Sequence, residues 1–212
     1  FFPDGRSVCA TTKNCTVQCW NIQTGDVVWN LNVGPQYTSL HEVSVSPDGA
    51  TFCFGIDNKI MQWNTNTERP TLKWTCILPS EDTTIFSVSF SPDGKFLCSG
   101  ANDGNVRLHN SETGEIVNTF EYNGKIIHPE FYGMSISQVR FSSKGTFICS
   151  VIRDTVQIWK NPKMFREKNN ERFFPQHLNG TISRITGHQL PNDVVGIISG
   201  FFSLEDARQV RL

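Results

Sequence analysis

Three carboxylates, Asp4, Asp48 and Asp93, each stand directly before a glycine. A set of aspartates is what general acid–base work or a hard-metal site would need. Each lies in its own Pro-Asp-Gly triplet, and the triplets are 44 and 45 residues apart. The pattern therefore predicts three separate turns and no shared site. Five histidines (His41, His109, His128, His177, His188) show no ligand spacing, and seven cysteines include no C-x-x-C pair. No nucleophile elbow, phosphate loop, dinucleotide fingerprint or zincin helix motif is present. The densest local charge lies in 160–172, where Lys160, Lys163, Arg166, Lys168 and Arg172 face only Glu167 and Glu171. Such a run is either a solvated insertion or a contact for phosphate or an acidic partner. The residues predict no enzyme: no catalytic set, metal, cofactor or small-molecule substrate is expected.

The glycines that follow those aspartates, with a fourth after Lys144, reveal the organisation. Gly5, Gly49, Gly94 and Gly145 are spaced by 44, 45 and 51 residues. Four residues after each comes a cysteine (Cys9, Cys53, Cys98, Cys149), and four before each an apolar residue (Phe1, Val45, Phe90, Phe141). Fourteen or fifteen residues after each glycine stands a large ring: Trp20, Trp63, His109, Trp159. In the clearest copy, alternating apolar residues at 85–90 precede Pro92-Asp93-Gly94, then Asn102-Asp103-Gly104 and Glu112-Thr113-Gly114. These turn signals separate four short extended runs, which reads as an antiparallel meander. One meander per period of 40–50 residues is a propeller-type pattern, because a lone sheet must stack on a neighbour to bury its faces. The repeated cysteine is then a small hydrophobe between sheets.

VSFSPDGKFLCSGANDGNVRLHN, VSVSPDGATFCFGIDNKIMQWN and VRFSSKGTFICSVIRDTVQIWK resemble the WD40 repeat, as does the opening FFPDGRSVCATTKNCTVQCWN. The resemblance implies an all-β fold: a WD40-type β-propeller segment of four four-stranded antiparallel blades plus part of a fifth. The blades are expected at about 1–31 (partial), 41–77, 85–120, 136–186 and 188–212 (partial). Repeat positions carried over are the rings Trp20, Trp63, His109 and Trp159 and the turn acids Asp57, Asp103 and Asp154, with Asn14 in the first copy. The family's closing Trp-Asp is Trp-Asn twice, His-Asn once and Trp-Lys once, which thins the expected hydrogen-bonded networks. Family propellers close with seven or more blades, so the chain is expected to be excised from a longer one; a four-blade ring or self-association is the alternative. The stretch from Thr155 to His188, with Trp-x-x-Pro and Thr-Gly-His, is also similar to the periodic-tryptophan WD40 subunit of the small-ribosomal-subunit processome.

The resemblance implies a non-catalytic protein–protein interaction scaffold organising a multi-subunit assembly. Alternatives are a ribosome-biogenesis subunit within an RNA-containing assembly, and a substrate-recognition or regulatory module of a larger enzyme complex. Formal net charge is −1 and no apolar run approaches a membrane span, so neither nucleic acid nor membrane is favoured globally. Four cysteines share one repeat phase on different blades, where they could not pair, which fits reduced thiols and an intracellular setting, cytoplasmic or nuclear/nucleolar. The long crossing at 121–135 carries Tyr122, Phe131 and Tyr132, which either pad the loop or face a partner.

Overall fold

The computed structural model describes residues 1–12, 14–34, 40–65, 69–121, 135–152 and 155–163. Within them lie fourteen strands and no helix. The first blade comprises β1 (Ser7–Thr11), β2 (Thr16–Asn21) and β3 (Val27–Asn32). The second has β4 (Leu40–Val45), β5 (Thr51–Ile56), β6 (Lys59–Asn64) and β7 (Thr71–Ile77). The third has β8 (Ile85–Phe90), β9 (Phe96–Ala101), β10 (Val106–Asn110) and β11 (Ile116–Phe120). The fourth shows β12 (Ile136–Phe141), β13 (Phe147–Ile152) and β14 (Thr155–Lys160). Each sheet is an antiparallel meander in chain order. Only the middle two have four strands among the described residues. In the first blade, Phe1 and Phe2 run straight into the turn and leave a single inner pairing, from Phe2 N–H to the Ser7 carbonyl. The expected fifth blade at 188–212 lies outside the described residues, as does most of the 121–135 crossing.

The turn from inner to second strand shows why Ser-Pro-Asp-Gly recurs. Ser91 Oγ donates to Asp93 Oδ1 (2.6 Å) and accepts Phe96 N–H (2.9 Å), while Asp93 Oδ1 accepts Lys95 N–H (3.1 Å). Gly94 sits at φ 70°, a conformation that costs a residue with Cβ. Ser46 and Asp48 build the same clamp in the second blade. The turn from third to outer strand is closed by an asparagine. Asn110 Oδ1 accepts Glu112 and Thr113 N–H (2.8 and 3.2 Å), and Asn21 Oδ1 does the same for Gln23 and Thr24. An Asx turn needs only a side-chain oxygen at this reach, so Asn suffices where the family carries Asp.

Strand alternation sorts the second strand into two faces. Phe52, Phe54 and Ile56 point back to the first blade, where Trp29 stacks on Phe52 at 5.1 Å. Cys53 and Gly55 point forward, and Cys53 packs with Ile85, Val88 and Leu97 of the third blade. The next interface repeats this: Cys98 packs with Ile136, Val139 and Ile148, and Phe120 meets Trp159 at 5.4 Å. All four phase-matched cysteines are buried and outside any disulfide, as their spacing predicts.

The forward glycines are where the next inner strand passes. A Cβ on Gly100 would lie 2.4 Å from Ile136 Cγ2 and 2.8 Å from Val139 Cγ1, and one on Gly55 2.6 Å from Ile85 Cγ2. Gly100→Val is therefore expected to lower stability by about 1–3 kcal/mol or more through overpacking. Urea midpoints check this, and adding Ile136→Ala should return part of the loss. An unchanged midpoint for Gly100→Val would show that the strands can part freely.

Candidate functional site

The three turn aspartates do not converge. Asp4, Asp48 and Asp93 each serve the N–H two residues on, in their own blade. Hydrogen bonds from Ser46 Oγ and the Ala50 N–H hold the Asp48 carboxyl below the usual carboxylate range. Among the described residues no group of three or more His, Cys, Asp or Glu could hold a metal ion.

The ring positions face backward and reveal where the repeat's polar network survives. Trp159 Nε1 donates to Ser150 Oγ (3.2 Å), and at the matching place His109 Nε2 shares a hydrogen bond with Ser99 Oγ (2.9 Å). In the second blade Phe54 occupies the serine position, and Trp63 Nε1 is a buried donor with no partner. That is the cost of trading a hydroxyl for the Phe52–Phe54 apolar face. The turn acids divide similarly. Asp103 pairs through both oxygens with Arg107, and although burial pushes its pKa up, that pairing brings it down on balance. Asp57 sits at φ 50° and its carbonyl accepts Ile85 N–H (2.9 Å), tying its turn to the next blade. Asp154 lies outside the described residues.

His109 is fully buried, and burial first, then the Arg107 charge, lowers its pKa to about 4. It is neutral in the fold. The unfolded imidazole, near 6.5, binds more protons between those two values, so stability must fall as pH drops through that window. The contribution is complete above about pH 6.5, is lost by about pH 4, and amounts to about 3 kcal/mol. His109→Trp, with Ser99 placed as Ser150 is for Trp159, should remove that component. Urea titrations of both proteins from pH 7 to 4 test this; parallel curves would refute it.

One polar constellation was not visible in the sequence. Arg140 on β12 makes a two-point pair with Glu42 on β4 (Nη1 to Oε2 2.8 Å, and Nη2 to Oε1). Ser87 on β8 donates to the same Glu42 Oε2 (2.5 Å) and accepts Val139 N–H (3.0 Å). The inner strands of three successive blades are thus joined through one carboxylate. Burial opposes the Arg140 charge, but the Glu42 hydrogen bond and charge outweigh it and raise the guanidinium pKa. The side chains are 37% and 28% exposed, so solvent screens part of the attraction. A double-mutant cycle with Glu42→Gln and Arg140→Met should give a coupling of about 1–2 kcal/mol, below that of fully buried pairs. Coupling near zero would mark the pair as incidental.

Of the proposed contact residues, Lys160 ends β14 on an exposed position. Lys163 follows in a turn where Asn161 Oδ1 accepts its N–H (3.1 Å). Arg166, Lys168 and Arg172 lie outside the described residues, as do Tyr122, Phe131 and Tyr132. Between the second and third blades a groove of about 750 Å³ opens beside the Ser-Pro-Asp-Gly turns, lined by Asp48, Thr51, Gln62, Asp93, Phe96 and Glu112 among others. Its outer end is fastened by Trp74 Nε1 donating to the Ser111 carbonyl (3.0 Å) and by Lys73 Nζ to Glu112 Oε2 (2.6 Å).

Antiparallel meanders stacked through small forward-facing residues, with a ring on each third strand, have the architecture of WD40-type propeller blades. The chain is similar to WD40-repeat domains, a class whose members generally bind other proteins. Residues 57–142 match the family model described as the anaphase-promoting complex subunit 4 WD40 domain. That span runs from the second blade's Asp57 turn through the whole third blade to the end of β12. A comparison of the chain with curated proteins found no match.

Proposed function

We propose that this protein is a scaffold subunit of a multi-subunit assembly inside the cell, holding protein partners in fixed relative geometry. The observation that carries this reading is the match of residues 57–142 to the WD40 domain of a complex subunit. The span contains the whole third blade and the inner strand of the fourth that packs on it. The Glu42–Ser87–Arg140 link supports the reading physically, since it holds three inner strands in one arrangement and so keeps their loops at set distances. Seven cysteines outside any disulfide support a reducing compartment. Fold alone does not choose the partner.

Affinity purification of the intact protein from its own cells, with and without RNase, tests the proposal. The expected result is a reproducible set of protein partners that RNase leaves in place. Recovery of the protein alone would overturn it. Release of the partners by RNase, with ribosomal precursor RNA in the eluate, would replace it by the ribosome-biogenesis reading. Charge reversal at Lys160 and Lys163 would then be the next step.

A further inference from the structure

At the groove between the second and third blades, two lining residues differ from their counterparts in the third and fourth blades. In the third blade the forward face of the second and third strands carries Phe96 and Leu108 at the turn end, and in the fourth Phe147 and Ile158. The second blade has Thr51 and Gln62 at the same places. Two apolar plugs are replaced by a hydroxyl and a carboxamide, and the sheets stand apart there. Gln62 is 1% exposed. Its Nε2 donates to Thr51 Oγ1 (2.9 Å), while Oε1 is buried with no partner. A buried acceptor left unmade costs about 1–3 kcal/mol, a penalty that a bound donor would remove.

The mouth of the groove has matching chemistry. Asp48 and Asp93 use Oδ1 within their own turns, and among the described residues no hydrogen bond to either Oδ2 is seen. Glu112 adds a third carboxylate. Lys73 is committed to Glu112, which leaves Lys95 as the opposing charge in the lining. The site thus presents carboxylate acceptors at its rim, the unpartnered Gln62 Oε1 just beneath its floor, and a net negative wall. Its volume exceeds one side chain and is in the range of pockets that take several residues or a small ligand.

We propose that this groove docks a basic side chain, an arginine or lysine, carried on an extended segment of a partner protein. The guanidinium or ammonium N–H groups meet Gln62 Oε1 at the floor and the Asp48 and Asp93 carboxylates at the mouth. The flanking peptide lies along the seam between the blades. The occupant's being a protein rests on the scaffold reading; the preference for a cationic multi-donor group does not.

The test uses an acetylated, amidated pentapeptide with a central arginine in a Gly/Ser background, its central-glutamate counterpart, and free arginine. NMR titration follows the Gln62 carboxamide and the Trp74 indole N–H. The arginine peptide should shift both signals and the glutamate peptide neither. Gln62→Leu, which restores the repeat's apolar plug, and Asp93→Asn, which keeps the turn acceptor, should each weaken binding by about tenfold. No shift at millimolar peptide, equal response to glutamate, or unchanged affinity in both variants would overturn the proposal. Free arginine binding as tightly as the peptide would assign the groove to a small cationic solute and overturn the partner segment. Partners retained unchanged by Gln62→Leu in the affinity purification, without peptide binding, would sink the groove and leave the scaffold reading standing.

Discussion

Where Ile136 crosses behind Gly100, no methyl group fits between the inner strand of one blade and the second strand of the blade before it. The same holds for Ile85 behind Gly55. These approaches let two pleated faces interdigitate, so that Cys53 and Cys98 are sealed and the apolar rows on either side reach each other. A meander of this size cannot bury both faces by itself, so its stability is held largely in common with its neighbours. The Ser-Asp clamps, Asn turns and ring positions then act on an array whose spacing is already set.

The polar interior follows from that spacing. With sheets packed closely, a ring donor on the third strand can reach only the adjacent strand of its own sheet or the blade behind. Ser99 and Ser150 answer this need for His109 and Trp159, while Phe54 leaves Trp63 unanswered. Histidine at a tryptophan position keeps the hydrogen bond in a smaller ring. At Gln62 the exchange runs the other way, as a polar side chain takes an apolar position and the interface opens.

Much of the blade architecture could be read from the chain because its determinants are local and repeat. Pro-Asp-Gly and Asn-x-x-Thr-Gly encode turns through side-chain oxygens and positive φ within five residues. In the first blade such turns fall before the strand at Ser7–Thr11 and between those at Thr16–Asn21 and Val27–Asn32. The Glu42–Arg140 pair was not legible: its members are 98 residues apart and meet only because of how inner strands converge. Gln62 carried a usable signal in the repeat alignment, opposite Leu108 and Ile158, yet a single glutamine on a strand reads as a surface residue until its face is known. The basic and aromatic contact residues placed at 122–132 and 166–172 belong to segments outside the described residues.

The cysteine between each pair of blades gives the array an internal clock. Burial raises the Cys53 and Cys98 thiols well above their ordinary range, so neither reacts while its interface is shut. One thiol belongs to the seam between the second and third blades, the other to the seam between the third and fourth. Alkylation at each therefore counts separate opening events, and mapping the two rates by mass spectrometry would rank the seams by how often they breathe. A subunit that grips partners along its seams would in this way record occupancy in its own chemistry.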